Sequence, residues 1–241
     1  MVRQSKGGGI ERGGGGRRLT VKLRTAKGRK TGSTRWLARQ LNDPYVEEAK
    51  RRGYRSRAAF KLIEIDDKHH ILKPGMAVVD LGAAPGGWSQ IAAERVGTGA
   101  GQGQVMAVDL TEIEHLPGVE LLLLDVTEAG ALDRIRAALK GGRADVVLSD
   151  MAAHATGHRP TDHLRVVALV ESAFDIAEEV LAPGGTFLAK VFQGGAGQEL
   201  LTRLKQSFAK VQHVKPKASR AESPEVYVLA TRYRGRGVTG S

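Results

Sequence analysis

The sequence predicts an α/β protein built on a doubly wound sheet of seven strands, mostly parallel, with one antiparallel strand. Short apolar runs alternate with segments of helical periodicity along most of the chain, a pattern typical of parallel sheets covered by helices. Residues 77–88, AVVDLGAAPGGW, place a buried strand directly before a glycine-rich turn and the start of a helix. The length of 241 residues suits one α/β domain with extensions.

The first elements follow from local signals. Asn42-Asp-Pro44 is a turn signal, and it precedes a predicted helix over 45–52 that ends at Gly53. A second helix is predicted over 55–65 from its apolar positions. Lys73-Pro-Gly75 then leads into the first strand.

Strands and helices alternate from residue 77 onward. The strands are predicted over 77–81, 104–109, 119–124, 145–150, 185–191, 210–214 and 225–231, and the helices over 88–95, 130–139, 162–181 and 197–206. Pro183-Gly-Gly185 is expected to end the long helix and to turn into the next strand. Residues 216–224 form a predicted loop, so the last two strands are expected to pair antiparallel.

The composition restricts the class of protein. A net charge of +11 and a pI near 10.1 favour a polyanionic partner, nucleic acid first, over a merely basic surface. The absence of cysteine excludes disulfides, thiolate zinc sites and a cysteine nucleophile. No apolar run approaches the roughly 20 residues that span a bilayer. We therefore expect a soluble cytoplasmic protein with no membrane partner.

The basic charge is concentrated at the N-terminus. Residues 1–35 carry eleven lysines and arginines against Glu11 alone, a net +10. Residues 1–32 are predicted to be a disordered, glycine-rich tail, because their apolar side chains are too few to offset the entropy of ordering. The tail is expected either to attract phosphates without sequence specificity or only to solubilise the chain.

One domain is predicted over 33–235, beginning with a short helix around Trp36, and residues 236–241 are expected to be flexible.

Aspartates lie at the ends of four successive predicted strands, at Asp80, Asp109, Asp125 and Asp150. The carboxyl ends of parallel strands are where ligands bind. A carboxylate after the second strand can accept hydrogen bonds from both ribose hydroxyls of an adenosine, and Asp125 is placed for the adenine edge. A lone aspartate in such a position is often a cap or turn residue, but four in series indicate a ligand site.

The glycine turn lacks the dinucleotide spacing. A pyrophosphate requires G-x-G-x-x-G, whereas Ala-Ala-Pro separates Gly82 from Gly86. A ligand with an adenosine but no pyrophosphate fits better. S-adenosylmethionine is the foremost candidate, because aspartates favour its positive sulfonium and would repel phosphates.

Four charged residues lie on otherwise apolar elements: Lys61, Asp150, Lys190 and Glu225. Buried lysines and carboxylates are rare unless they are paired, and two of each neutralise one another in a single site. The residues alone leave two interpretations open, an ion-pair cluster that ties a helix to the sheet and a catalytic site.

Two motifs, DLGAAPGGWS at 80–89 and RSRAAFKL at 55–62, resemble those of the FtsJ/RrmJ family of S-adenosylmethionine-dependent ribose 2′-O-methyltransferases that act on RNA. The resemblance covers residues 36–232 and is strongest to the bacterial members that methylate a uridine of 23S ribosomal RNA. It implies a Rossmann-like S-adenosylmethionine-dependent methyltransferase fold. It also implies cofactor contacts at Gly86, Trp88, Asp109, Asp125 and Asp150, and a catalytic tetrad of Lys61, Asp150, Lys190 and Glu225.

The implied reaction is an in-line displacement in which a ribose 2′-oxygen attacks the methyl on sulfur and S-adenosylhomocysteine leaves. Lys190 is expected to approach the 2′-oxygen, either as general base or by orienting its lone pair while protonated. Asp150 is expected to border both ligands, and Glu225 to orient a group or relay a proton. No metal is expected, and the three histidines after Asp150 (His154, His158 and His163) are interpreted as surface residues.

RNA is the expected partner because DNA lacks the 2′-hydroxyl, and ribosomal RNA of the large subunit is favoured. The chain is expected to act as a monomer.

Two basic clusters could hold phosphates: Arg35, Lys50, Arg51, Arg52, Arg55 and Arg57 around Lys61, and Lys215, Lys217 and Arg220 before Glu225. The alternatives are a transfer-RNA or cap-type ribose methyltransferase, a non-catalytic RNA-binding protein, and a nicotinamide-dependent oxidoreductase, which the missing glycine fingerprint disfavours.

Overall fold

The structure, a computed structural model, describes residues 41–152, 157–193 and 197–235. The chain divides into two compact units, Met1–Pro44 and Tyr45–Ser241. Residues 41–44 are the described part of the first unit, and the sheet lies within the second. The expected tail over 1–32, the short helix around Trp36 and the C-terminal 236–241 lie outside the described residues.

One sheet forms the core of the second unit. Its strands are β1 (Ala77–Leu81), β2 (Gln104–Asp109), β3 (Val119–Leu123), β4 (Ala144–Ser149), β5 (Leu181–Phe192), β6 (Phe208–Val214) and β7 (Glu225–Tyr233). They are arranged in the order β3-β2-β1-β4-β5-β7-β6. Strand β7 runs antiparallel to both of its neighbours, and the other neighbouring pairs are parallel. The predicted seven-stranded α/β fold with one antiparallel strand is confirmed.

Helices cover both faces of the sheet. Within the described residues they are α1 (Pro44–Arg52), α2 (Ala59–His69), α3 (Gly87–Val96), α4 (Ala131–Ala138), α5 (Arg159–Val180) and α6 (Gln198–Ser207). Helices α4, α5 and α6 pack on one face, and α2 and α3 pack on the other. Successive strand residues alternate between the two faces, as Val78 and Val79 do, which explains why the strands are apolar throughout.

Helix α2 lies further along the chain than its predicted range of 55–65. Residues 53–58 form turns instead, and the helix begins at Ala59. It continues past Ile65 to His69, and the buried carboxylate of Asp66 accepts the N–H of Leu72, beyond the helix end, at 2.8 Å. His70 in the left-handed region closes the helix, with its N–H bonded to the Asp66 carbonyl.

Strand β5 is longer than the predicted 185–191, and the expectation that Pro183-Gly-Gly185 ends the long helix is wrong. Helix α5 ends at Val180, and Leu181 already pairs with Ala144 of β4. The side chain of Leu181 is fully buried in the core between the sheet and helices α4, α5 and α6, and the extended backbone at Leu181 places it there. A register shift between Ala144 and Val146 accommodates the Pro-Gly-Gly segment within the strand.

Candidate active site

The four charged residues singled out in the sequence lie together at the carboxyl end of the parallel strands. Lys61 comes from α2, Asp150 follows β4, Lys190 lies in β5 and Glu225 begins β7. Lys61 Nζ is 2.8 Å from Glu225 Oε1 and 3.9 Å from Asp150 Oδ2. Lys190 Nζ is 3.1 Å from Asp150 Oδ1 and donates to the Asp150 backbone carbonyl at 2.6 Å. These residues therefore form one continuous cluster of alternating charge.

The cluster is largely but not completely buried. Lys61 and Lys190 are 8% and 7% exposed, and the carboxylate side chains of Asp150 and Glu225 are 18% and 15% exposed. Two ammonium and two carboxylate groups balance in charge, which is what buried ionic groups require. The contacts are those of an ion-pair cluster that ties α2 to the sheet, which is one of the two interpretations that the sequence left open. The remaining exposure leaves each polar group within reach of a ligand.

Glu225 is held in its ionised form. Burial alone would raise the pKa of Glu225, but the ammonium groups of Lys61 and Lys190 and the hydrogen bonds from Lys61 and Ser219 outweigh burial and lower it. Ser219 lies in the loop between β6 and β7, and its hydroxyl donates to Glu225 Oε1 at 2.8 Å. Glu225 is thus a fixed acceptor for Lys61, and the sequence analysis did not find the serine that orients it.

Tyr227 is a further member of the cluster that the sequence analysis missed. Its side chain is fully buried, and its hydroxyl donates to Asp150 Oδ1 at 2.9 Å. Its ring lies 5.5 Å from that of Trp88, and Lys61 Nζ lies 5.7 Å from its centroid. Burial, followed by the carboxylates of Asp150 and Glu225, raises the pKa of the phenol well above its usual value, so Tyr227 acts as a hydrogen-bond donor. Tyr227 lies two residues after Glu225 and therefore on the same face of β7. This spacing is the feature of the sequence from which its place in the cluster could have been predicted.

The segment from Gly82 to Gly87, named the glycine loop here, lies against the end of β2. The N–H groups of Gly82 and Ala83 donate to the Val108 carbonyl, and Ala84 N–H donates to Asp109 Oδ2 at 2.9 Å. Gly82 has φ +73°, and a Cβ there would lie 2.9 Å from the backbone Cα of Met151. Only glycine fits this position, since the chain that follows Asp150 passes directly beside the loop.

The strand-end aspartates differ in their surroundings. Asp109 accepts the N–H groups of Ala84 and Thr111, so its carboxylate ties β2 to the glycine loop. Asp125 Oδ1 accepts from the N–H and hydroxyl of Thr127, and these bonds lower the pKa of Asp125. Both carboxylates keep oxygen lone pairs for a ligand, because each oxygen can accept more than one hydrogen bond.

Asp80 is the exception, because it is fully buried beneath this edge of the sheet. Ser89 Oγ donates to Asp80 Oδ2 at 2.6 Å, whereas Asp80 Oδ1 has no hydrogen-bond partner among the described residues. Burial raises the pKa of Asp80 to about 7; the Ser89 hydrogen bond opposes this rise, and the carboxylates of Asp150 and Asp109 add to it. Three neighbouring carboxylates and an unsatisfied buried oxygen form a site that favours a positively charged ligand.

The side chain of Trp88 is buried in the core, so it is not available for contact with a cofactor. Its indole is 3% exposed, and its N–H donates to the Ala58 carbonyl at 2.9 Å, so the ring belongs to the core between α2 and the sheet. Its backbone N–H lies in the first turn of α3, where N–H groups have no acceptor within the helix. Gly86, with φ +102°, is the N-cap of that helix.

Comparison with known proteins identifies the family. The family model described as FtsJ-like methyltransferase matches residues 54–233, which is well over half of the chain. The chain belongs to this family. The match includes both motifs, the whole sheet and all four charged residues of the cluster.

Curated relatives of this FtsJ-like methyltransferase share most of its length. The ribosomal RNA large subunit methyltransferase E of Xanthobacter autotrophicus is 60% identical over 224 residues, covering 93% of this chain and 88% of that protein. The protein of the same name from a Bradyrhizobium species is 62% identical over 218 residues, covering 90% of this chain and 94% of its own. A crystal structure described as a ribosomal RNA methyltransferase from Plasmodium falciparum superposes with a TM-score of 0.65 at 30% identity, covering 76% of this chain and all of that one.

The basic side chains predicted to hold phosphates in the FtsJ-like methyltransferase fall into three groups, and Arg35 lies outside the described residues. Arg55 and Arg57 direct their guanidinium groups at backbone carbonyls, Arg57 at that of Ala218. Arg51 and Arg52 pair with Glu48 on the surface of α1. Exposed lysines, Lys50 and Lys217 among them, carry charge that phosphates could approach.

The described residues contain neither a cluster of metal ligands nor a membrane-spanning helix. In residues 41–152, 157–193 and 197–235, no three His, Cys, Asp or Glu side chains are grouped as metal ligands. His154 lies outside this part of the chain. None of the helices described for the methyltransferase is long and apolar enough to cross a membrane.

Replacing Tyr227 by phenylalanine tests its role in the methyltransferase. Tyr227→Phe leaves Asp150 Oδ1 without the phenolic donor, and a hydrogen bond to a charged group contributes about 1.5–3 kcal/mol. We expect kcat to fall about 10- to 100-fold, as measured by methyl transfer at saturating substrates. Tyr233→Phe is the matched control, since it removes a 2.9 Å bond to the Glu178 carbonyl at the other end of β7. Tyr233→Phe should lower Tm without a comparable loss of kcat. Equal losses of kcat in the two variants would contradict the assignment of Tyr227 to the active cluster.

Proposed function

We propose that this methyltransferase transfers a methyl group from S-adenosylmethionine to a ribose 2′-hydroxyl, that of a uridine in the 23S RNA of the large ribosomal subunit. The observation that carries the proposal is the joining of Lys61, Asp150, Lys190 and Glu225 into one cluster beside the glycine loop. The names of the curated relatives support large-subunit ribosomal RNA as the substrate.

The residues at the carboxyl end of the sheet fit S-adenosylmethionine. The carboxylates of Asp80, Asp109 and Asp150 influence one another electrostatically, and Asp80 Oδ1 lacks a hydrogen-bond donor among the described residues. Such a group of negative charges favours a cation and disfavours a pyrophosphate. When bound, S-adenosylmethionine supplies a methyl group on a positively charged sulfur.

Five residues are proposed to hold this cofactor. Asp109 binds the ribose hydroxyls and Asp125 the adenine edge, while Gly86 and Trp88 contribute backbone groups at the start of α3. The buried indole of Trp88 supports a backbone contact rather than a side-chain contact. Asp150 borders both the cofactor and the reacting ribose.

The cluster holds and moves the proton of the attacking hydroxyl. Lys190 Nζ is the group that meets the 2′-oxygen, and it either accepts the proton or directs the lone pair of that oxygen. Asp150 fixes Lys190 through two oxygens, and Tyr227 fixes Asp150 in turn. Lys61 bridges Asp150 and Glu225, so the four charges keep a single arrangement. This pre-organisation is the contribution of the protein to aligning the reacting groups.

The RNA is proposed to approach the cluster across the exposed lysines of α1 and of the loop between β6 and β7. One chain supplies every member of the cluster, which supports a monomer as the active form. A substrate in the large ribosomal subunit supports a cytoplasmic location.

The test is methyl transfer from labelled S-adenosylmethionine to total RNA, transfer RNA and large ribosomal subunits from cells that lack this protein. We expect label in large-subunit RNA, at a linkage that resists alkaline hydrolysis, because alkaline cleavage needs a free 2′-hydroxyl. Label in transfer RNA alone would favour the alternative substrate, and alkali-sensitive label would indicate base methylation. No incorporation into any RNA would overturn the proposal.

A further inference from the structure

Arg55 connects two loops that flank the proposed cofactor site. Its Nη1 donates to the carbonyls of Pro85, at 3.3 Å, and of Glu114, at 2.8 Å, and its Nη2 donates to the carbonyl of His115 at 2.6 Å. Pro85 lies in the glycine loop. Glu114 and His115 lie in residues 110–116, named the β2 loop here because they follow β2.

The turn that carries Arg55 also lies directly against the glycine loop. A Cβ on Gly86 would be 3.1 Å from Arg55 Cδ, and a Cβ on Gly87 would be 2.3 Å from Ser56 Oγ. The backbone N–H of Arg55 donates to Gln90 Oε1 of α3 at 3.1 Å. The two glycines therefore make room for this turn, and Gln90 fixes the turn on the helix that the glycine loop begins.

Asp109 connects the same two loops on the other side. Its Oδ2 accepts from Ala84 in the glycine loop, and its Oδ1 accepts from Thr111 in the β2 loop. The β2 loop is thus tied to the glycine loop at its start by Asp109 and near its end by Arg55. Asp109 is the residue proposed to bind the ribose, so Arg55 completes the frame around that site.

We propose that Arg55 is a positioning residue for the methyl donor: its guanidinium holds the glycine loop and the β2 loop in the arrangement that binds the adenosine part. This inference rests on the proposed function. It differs from the expectation, drawn from sequence, that Arg55 binds RNA phosphates. A guanidinium suits this task because its planar set of N–H donors reaches several carbonyls at once, whereas a lysine ammonium is a single point of charge.

The experiment measures cofactor and RNA binding separately in the full chain. S-adenosylhomocysteine is titrated calorimetrically into wild type, Arg55→Ala and Arg55→Lys. We expect Arg55→Ala to weaken binding about 10- to 100-fold, as the loss of hydrogen bonds from a charged donor implies, and Arg55→Lys to weaken it less. Methyl transfer by Arg55→Ala should recover at saturating S-adenosylmethionine, because KM rises more than kcat falls.

RNA binding provides the contrasting measurement. A lost phosphate contact would reduce the slope of log affinity against log salt by about 1, and we expect no such change for Arg55→Ala. Lys140→Ala is the control for loss of an exposed positive charge, since Lys140 follows α4 and lies outside both loops. It should leave both affinities unchanged.

Hydrogen exchange of the ligand-free protein tests the bridge without any cofactor. We expect faster exchange in the β2 loop of Arg55→Ala and Arg55→Lys than in wild type and Lys140→Ala. Unchanged cofactor affinity together with unchanged exchange, or a selective loss of RNA affinity, would overturn the inference. If wild type itself fails to bind the nucleoside, the proposed methyl donor is wrong, and the exchange comparison alone decides whether Arg55 holds the two loops together.

Discussion

Lys190→Ala is expected to abolish methyl transfer while leaving the affinity for S-adenosylmethionine close to that of the wild type. Lys190 Nζ contacts Asp150 through both a carboxylate oxygen and the backbone carbonyl, and it is the group proposed to meet the 2′-oxygen. A side chain that accepts or directs this proton contributes about 10²- to 10⁴-fold to the rate. Asp109 makes the hydrogen bonds that shape the proposed cofactor site, and these bonds do not involve Lys190.

The fold of Lys190→Ala should survive, because Asp150 keeps the hydroxyl of Tyr227 and the ammonium of Lys61. Single-turnover methyl transfer and calorimetric titration of S-adenosylhomocysteine measure the two effects separately. Lys210→Ala, on the exposed side of β6, is the control for removing a lysine from the sheet. Lys190→Arg distinguishes the two roles of the residue, since a guanidinium stays protonated and can only orient the hydroxyl. Near-normal turnover of Lys190→Ala would refute its assignment.

Asp80→Asn is expected to stabilise the protein strongly above neutral pH and to weaken binding of the methyl donor. Burial raises the pKa of Asp80 to about 7 in the folded chain, from 3.8 for an unperturbed aspartate. The raised pKa means that the folded state binds this proton more tightly than the unfolded state. Stability from this group is therefore complete below pH 3.8 and is lost as the pH rises to about 7. The full loss is roughly 4 kcal/mol, a large part of the 5–15 kcal/mol that stabilises a typical domain.

The asparagine variant removes this titration. Denaturant unfolding at pH 8 should show a gain of up to about 4 kcal/mol for Asp80→Asn, and the gain should shrink towards pH 4. Asp66→Asn is the matched control at a second buried aspartate, whose carboxylate is 3.5 Å from Arg95 Nη1 and accepts the N–H of Leu72. That substitution should destabilise the protein at pH 8. A pH-independent difference between Asp80→Asn and wild type would contradict the account.

The stabilisation expected for Asp80→Asn has a functional cost. In the free protein the ionised form of Asp80 is unfavourable, because the side chain is buried and the carboxylates of Asp150 and Asp109 repel it. A positively charged ligand would reduce this repulsion. We expect the variant to bind S-adenosylmethionine more weakly, while its affinity for S-adenosylhomocysteine, whose sulfur carries no charge, changes less. Strain of this kind at ligand sites is a common reason why natural proteins are not at their stability optimum.

The regular part of the fold could be predicted because it depends on local patterns. The bounds of β1 and β2 match the predicted ranges, since each is an apolar run bounded by turn residues. The cluster of four could be predicted because charged residues on apolar helices and strands need partners of opposite charge. The period of two along a strand places Lys190 and Tyr227 on the face that α2 covers.

The remaining features depend on contacts between distant segments. Ser219 orients Glu225 only because its loop packs against α1 and α2, where Ala218 is fully buried beside Phe60. The sequence shows Arg55 as one more basic residue in a basic stretch, and only the folded chain places its guanidinium beside Pro85 and His115. Partners separated in this way leave no periodic trace in the sequence.

The position of β7 determines when the charged cluster can assemble during synthesis. This strand inserts between β5 and β6, and it carries Glu225 and Tyr227, the last members of the cluster to be translated. A nascent chain that has not yet released β7 lacks both Glu225 and Tyr227, and β5 and β6 have no strand to join them. The cluster is therefore complete only after β7 has been translated and has paired with β5.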